Sequence, residues 1–244
     1  MGRAFKTRRQ VVANIPLCYY ATESERPGVP KNGVERVDKV MSTSNSIATV
    51  KRVQDIFFRS IELKKEVAEG HCNVIVEMAD LAVTKLMQGG KIMICGNGGS
   101  AADAQHLAAE LLVRLRPHVN RGAIPAIALA MDTSSLTACG NDYSYDIYYQ
   151  RMVEGLGREG DVLIGVTTSG KSKNINMALE VAREMGISTM GFLGGDGGES
   201  LKHCDKALIV PSTETGRVQE VHITAGHALM ELIEDQMLER GLRS

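Results

Sequence analysis

His106 and Glu110 stand four residues apart in a stretch that reads as one helix. Positions i and i+4 share a helix face, so an imidazole and a carboxylate would meet there. Such a pair can bind a divalent metal such as zinc or move protons. A surface ion pair is the plainer alternative, and these two residues alone leave it open. A second group sits near the C-terminus: Gln219, Glu220, His222 and His227. They cannot all face one way. The eight-residue spacing of Gln219 and His227 returns them near one helix face, two turns apart. Two further ligand types could then complete a four-coordinate site, provided that the two helices meet.

Two loops could hold the rest of a polar substrate. Gly96-Asn97-Gly98-Gly99-Ser100 opens the His106 helix, and the reading favoured here is close approach of a small polar ligand to Asn97, Gly98, Gly99 and Ser100. Gly96, Gly98 and Ala101 also match a dinucleotide fingerprint loosely. That fingerprint wants an acid about 20 residues on, and Asp132 comes later than that. A tight turn with no ligand is a third reading. Gly165 to Ser172 spells the Walker A string G-x-x-x-x-G-K-S. Its first glycine, however, lies inside an apolar strand. The acid expected of a partner strand, Asp196, is displaced past Gly194-Gly195. A P-loop kinase is therefore the weaker reading. The hydroxyls of Thr167, Thr168, Ser169 and Ser172, with the amides opening the next helix, suit a single phosphate. Gly140-Asn141-Asp142 could accept sugar hydroxyls or be a simple turn.

These groups need elements to position them. Apolar positions recur at helical spacing over Ser46 to Glu69 and Val74 to Met87, where Gly89-Gly90 stops the pattern. Two leading helices are expected there. The pattern then changes to strand, loop, helix. Strands are expected over Lys91 to Cys95, Pro125 to Ala130, Asp161 to Val166, Ser188 to Leu193 and Lys206 to Val210. Helices are expected over Ser100 to Leu115, Tyr145 to Leu156, the stretch ending at Met185, and Arg217 to Arg240. Short unalternating apolar strands between helices mean a parallel sheet covered on both faces. In such folds ligands bind at the carboxyl edge of the sheet, where both loops would lie.

The chain has 244 residues, 43% hydrophobic and 23% charged, ordinary for a globular protein. Its net charge of −1, with no basic stripe in the body, argues against a nucleic-acid partner. The five cysteines, Cys18, Cys72, Cys95, Cys139 and Cys204, are scattered and odd in number, without CxxC spacing. That fits reduced thiols in a cytoplasmic core. No apolar run reaches the roughly 20 residues that span a membrane. Residues 1–40 hold three of the six prolines and no sustained period. They are expected to be disordered or loosely attached, and Met41 is a candidate natural start. Arg3, Lys6, Arg8 and Arg9 ahead of Val11 to Ala21 mimic a signal peptide, but Asn14 and Pro16 interrupt the apolar part.

Taken together, the motifs resemble the sugar isomerase (SIS) domain family, and within it the heptose-phosphate isomerase branch. The resemblance rests on Gly96 through His106 with Glu110, Pro125 to Leu129, Gly140-Asn141-Asp142, Gly160 to Leu163, Thr168 to Ser172, and Val218-Gln219-Glu220-x-His222. These occur in the family's order from about Ser46 to the C-terminus. The resemblance implies a three-layer α/β sandwich with a five-stranded parallel, flavodoxin-like sheet, preceded by two helices, over residues 46–244. It implies isomerisation of sedoheptulose 7-phosphate to D-glycero-D-manno-heptose 7-phosphate through an enediol, the first step of ADP- or GDP-heptose biosynthesis and so of lipopolysaccharide. Asn97, Gly98, Gly99, Ser100, Arg114, Asn141 and Asp142 would contact the sugar. Thr167, Thr168, Ser169 and Ser172 would hold the phosphate. His106, Glu110, Gln219 and His227 would bind one zinc per subunit of a homotetramer. Glu110, also at the substrate with Gln219, would form the acid–base pair with His227. Thr167 departs from a common serine but keeps the hydroxyl, and residues 1–40 have no family counterpart. Some relatives are non-catalytic adaptors for a replication initiator. Those typically lack the glutamate and the second histidine, and this chain has both.

Overall fold

The computed structural model describes residues 43–242. Residues 1–40, read above as a loose extension, lie outside them. Residues up to Lys51 form one unit, of which the described part is the start of helix α1 (Thr43–Gly70). Arg52 onward forms the second unit, which carries the sheet.

Strands β1 (Ile92–Gly96), β2 (Ala126–Ala128), β3 (Val162–Thr167), β4 (Ser188–Gly194) and β5 (Lys206–Val210) pair in parallel in the order β2-β1-β3-β4-β5. β1 and β3 are buried along their whole length, as unalternating apolar runs require in a sheet covered on both faces. Helices α2 (Cys72–Met87), α3 (Gly99–Leu112) and α7 (Thr215–Glu239) share one core with Ile92, Ile94, Val162 and Ile164. Leu63 and Val67 of α1 join that core. Helices α5 (Tyr148–Leu156) and α6 (Lys173–Glu184) cover the other face around Met93, Cys95 and Leu163. The chain leaves β1 for β2 on one side and returns to β3 on the other. The carboxyl ends of β1 and β3 therefore flank the topological switch point, the usual ligand crevice of this architecture. Both expected ligand loops open there.

Three expectations need correction. The first concerns the helix carrying His106, which ends at Leu112 rather than Leu115. The carbonyl of Leu111 is taken by the Ile124 amide at 3.1 Å and the Arg121 guanidinium at 2.7 Å, and that of Glu110 by the same guanidinium at 2.7 Å. These bonds compete with continuation of the ladder past Val113, and Arg114 falls beyond the helix. The second concerns Asn141 and Asp142, which belong to helix α4 (Thr133–Asp142) rather than to a loop. Asp132 caps that helix by accepting from the Ser134 amide at 3.0 Å, and the helix runs on through Gly140. The third is a short 3₁₀ segment, Glu199–His203, which follows β4 and was not anticipated. Among the described residues, no helix is long and apolar enough to cross a membrane.

Candidate active site

α3 and α7 are in contact, which spacing alone left open. His106 Nε2 lies 2.8 Å from His227 Nε2 and 3.2 Å from Glu110 Oε1. One donor atom from each of the three residues falls within 4.8 Å of the others. A surface ion pair would not draw in a histidine from 121 residues away. Two imidazole nitrogens and a carboxylate suit a borderline divalent ion such as zinc. The fit is supported by Asp103, one turn earlier on α3. Its side chain is buried, Oδ1 accepts from Gln219 Nε2 at 3.3 Å, and Oδ2 has no partner among the described residues. Burial pushes the Asp103 carboxyl above the usual range. The Gln219 hydrogen bond and the nearby His106 and His227 pull it back. A buried acid short of donors is what a neighbouring cation would offset.

Gln219 reaches this corner because α3 begins with glycine. A Cβ on Gly99 would stand 2.5 Å from Gln219 Nε2. Gly98 caps the helix at φ 56°, a left-handed backbone that favours glycine, without a side-chain cap. His222 goes elsewhere. It is buried against Phe192, its Nε2 lies 3.2 Å from the Leu193 carbonyl, and burial lowers its pKa to about 4.

The second loop gathers hydroxyls at the start of α6. Thr167 Oγ1 and Ser172 Oγ lie 3.0 Å apart, and Ser169 Oγ accepts from the Lys171 amide. α6 starts at Lys173 without a side-chain cap on Ser172, and the Ile175 amide is taken by Asn174 Oδ1 at 3.0 Å. Gly165 sits inside β3, where a Cβ would press on Ile175 and Leu179 of α6. That glycine serves helix packing, not a P-loop. A cleft of about 850 Å³ opens beside Thr168, Ser169, Gly194, Asp196 and Thr213. It shares only the hydroxyl loop with the expected site. His106, Glu110, Gln219 and His227 do not line it.

The remaining expected residues are more scattered. Asn97 pairs its carboxamide reciprocally with Asn174, each bond 2.9 Å, and accepts from Tyr145 at 2.6 Å. Its side chain is thus committed within the protein, clamping the first loop to α6. Arg114 donates to the Pro117 carbonyl at 3.0 Å. Asn141 donates to Asp142 at 2.7 Å, both exposed at the end of α4. No hydrogen bond joins Arg114, Asn141 or Asp142 to the His–Glu cluster. Asp103, Tyr145 and Asn174 were missed in sequence. Asp103 alone left a signal, since positions 103, 106 and 110 share a helix face.

A SIS-domain family model matches residues 57–194. A phosphoheptose isomerase from Chlorobaculum parvum is 51% identical over 179 residues, covering 73% of this chain and 86% of that protein. Two solved structures share the fold and align with 77% of this chain. The phosphoheptose isomerase from Neisseria gonorrhoeae is 41% identical, covered over 99% of its chain, with a TM-score of 0.72. That from Francisella tularensis is 35% identical, covered over 98%, with a TM-score of 0.73.

Proposed function

The chain belongs to the SIS-domain family and is a phosphosugar isomerase; from that premise we propose that it converts sedoheptulose 7-phosphate to D-glycero-D-manno-heptose 7-phosphate, entering ADP- or GDP-heptose and lipopolysaccharide synthesis. The observation that carries the reading is the convergence of His106, Glu110 and His227 across α3 and α7, beside two loops suited to a sugar phosphate. Glu110 takes the proton from C1 of the open-chain ketose. The electron pair moves into the C1–C2 bond, giving an enediol. Return of a proton at C2 completes the aldose. His227 carries the proton between the O1 and O2 oxygens, as an imidazole near neutral pH can. Glu110 is only 16% exposed at its side chain, which shields that transfer from bulk water. The four hydroxyls Thr167, Thr168, Ser169 and Ser172 hold the phosphate with the α6 amides. Asn97, Gly98, Gly99 and Ser100 shape the sugar end, with Arg114, Asn141 and Asp142 as further sugar contacts.

His106, Glu110, Gln219 and His227 would hold one zinc ion per subunit. When bound, zinc polarises the substrate carbonyl and fixes the sugar. A homotetramer is consistent with the apolar side chains that α1 exposes, Phe57 at 64% and Phe58 at 60% among them. A cytoplasmic setting fits the four free thiols among the described residues. The adaptor reading is disfavoured by the presence of both Glu110 and His227. The test is aldose–ketose interconversion of sedoheptulose 7-phosphate, with chelator and with added zinc. Initiator binding without turnover would reverse the reading.

A further inference from the structure

We infer that Asp103 is a positioning residue that sets which atom of the Gln219 carboxamide faces the metal site. The inference rests on the metal-dependent reading above. A carboxamide has one donor end and one acceptor end, and only its oxygen can ligate a cation. Rotation by half a turn exchanges them at little intrinsic cost, so something nearby must choose. In its ionised form Asp103 can only accept. It takes the Gln219 NH₂ at 3.3 Å, which leaves Oε1 as the atom able to serve as a ligand. The choice is enforced from two sides. Asp103 is buried and cannot swing into solvent, and Gly99, one turn before it, offers no side chain to displace the amide.

Nothing else accounts for this carboxylate. No lysine or arginine pairs with it among the described residues, and no backbone amide donates to it. Its Oδ2 has no partner. It lies one helical turn from His106 and two from Glu110, on the same face of α3. A purely structural acid would be expected to carry a capping bond or an ion pair. This one carries a single hydrogen bond, to the one carboxamide among the proposed ligands. Partners of this kind typically matter about 10–100-fold for metal affinity.

The experiment is competition for zinc between the full-length protein and a chromophoric chelator, with the visible spectrum of the cobalt(II) form as a second readout. The proteins are wild type, Asp103→Ala, Asp103→Asn and His106→Gln. Asp103→Ala is expected to bind zinc about 10–100-fold more weakly, with an altered cobalt spectrum. Asp103→Asn keeps an acceptor oxygen and is expected to fall between it and wild type. The metal-free proteins should unfold at the same urea concentration, which a structural role would shift instead. If Asp103→Ala fails to fold, Asp103→Asn against wild type decides. Wild-type zinc affinity and spectrum in the Asp103 variants, with affinity lost in His106→Gln, would overturn the positioning role alone. Unchanged affinity in His106→Gln would overturn the metal site itself.

Discussion

Gly99→Ala separates the site from the fold with a single methyl group. The added Cβ would stand 2.5 Å from Gln219 Nε2, 2.7 Å from Oε1 and 2.8 Å from Cδ. Contacts between such atoms settle near 3.5 Å or more, so the carboxamide must retreat by about 1 Å. The obstacle is the free end of a flexible side chain, not backbone, so the fold can accommodate it. Gly99 opens α3 outside the positive-φ region, and Gly→Ala at such a compatible position stabilises by about 0.4–1 kcal/mol through the unfolded state. The unfolding midpoint should therefore hold or rise. Activity should fall, because the retreat carries the amide away from Asp103 and from the His106–Glu110–His227 cluster. A displacement of about 1 Å at a reacting centre can cost on the order of 10²-fold. We expect a loss of that order in kcat/KM, about 2.7 kcal/mol of transition-state stabilisation, and weaker zinc retention. The assay is steady-state isomerisation, with zinc content and urea unfolding measured on the same preparation. A folded Gly99→Ala variant with wild-type turnover and zinc affinity would refute the placement of Gln219.

Four further outcomes follow from the same geometry. Glu110→Gln should lose about 10²–10⁴-fold in kcat while phosphate-dependent binding survives, read by steady-state kinetics beside calorimetric binding of product; near-wild-type turnover would remove Glu110 from the base role. Ser169→Ala should raise KM more than it lowers kcat, and an unchanged KM would count against the phosphate loop. His222 is held neutral, with its pKa lowered to about 4. The unfolded chain protonates first as pH falls, so the stability it contributes is complete above about pH 6.5 and is lost between there and pH 4, roughly 2 kcal/mol by pH 5. Urea unfolding at pH 7 and pH 5 should show this loss in wild type and much less of it in His222→Gln. Arg121→Met should destabilise by about 3–5 kcal/mol, because Glu234 and two α3 carbonyls lose a buried partner; a shift under 1 kcal/mol in urea unfolding would sink that estimate.

The parallel sheet was legible because each strand is a short apolar run between helical stretches, and β5 fell on the very residues expected. The two ligand loops were legible because glycine and hydroxyl residues punctuate strand ends. What failed depends on long-range contacts. Arg121 stops α3 by taking carbonyls ten and eleven residues earlier, and no local pattern around Leu112 announces it. Gly140-Asn141-Asp142 has turn chemistry but finishes a helix, since the Asp132 cap and the buried Cys139 outweigh it. Asn174 and Tyr145 engage the Asn97 carboxamide from far away in sequence, and no local pattern announces those bonds.

Helical phase explains how α7 divides its polar residues. At about 100° per residue, His222 and His227 lie roughly 140° apart around the axis, so one facing α3 turns the other inward. The structure sends His222 to β4 and His227 to His106. Glu234 follows His227 by seven residues, which returns it to within about 20° of the same stripe. There it accepts from Arg116 and Arg121 at 2.6 Å each. Arg121 in turn grips the backbone carbonyl of Glu110. One stripe of α7 thus carries both a proposed ligand and the anchor of a buried ion network, and that network ends on the main chain of the proposed base. Spacing does not choose between the histidines for Gln219, which lies about 60° from His222 and about 80° from His227 around the axis. Choosing α3 as the helix opposite requires Arg121, whose guanidinium joins the two helices two turns from the chemistry.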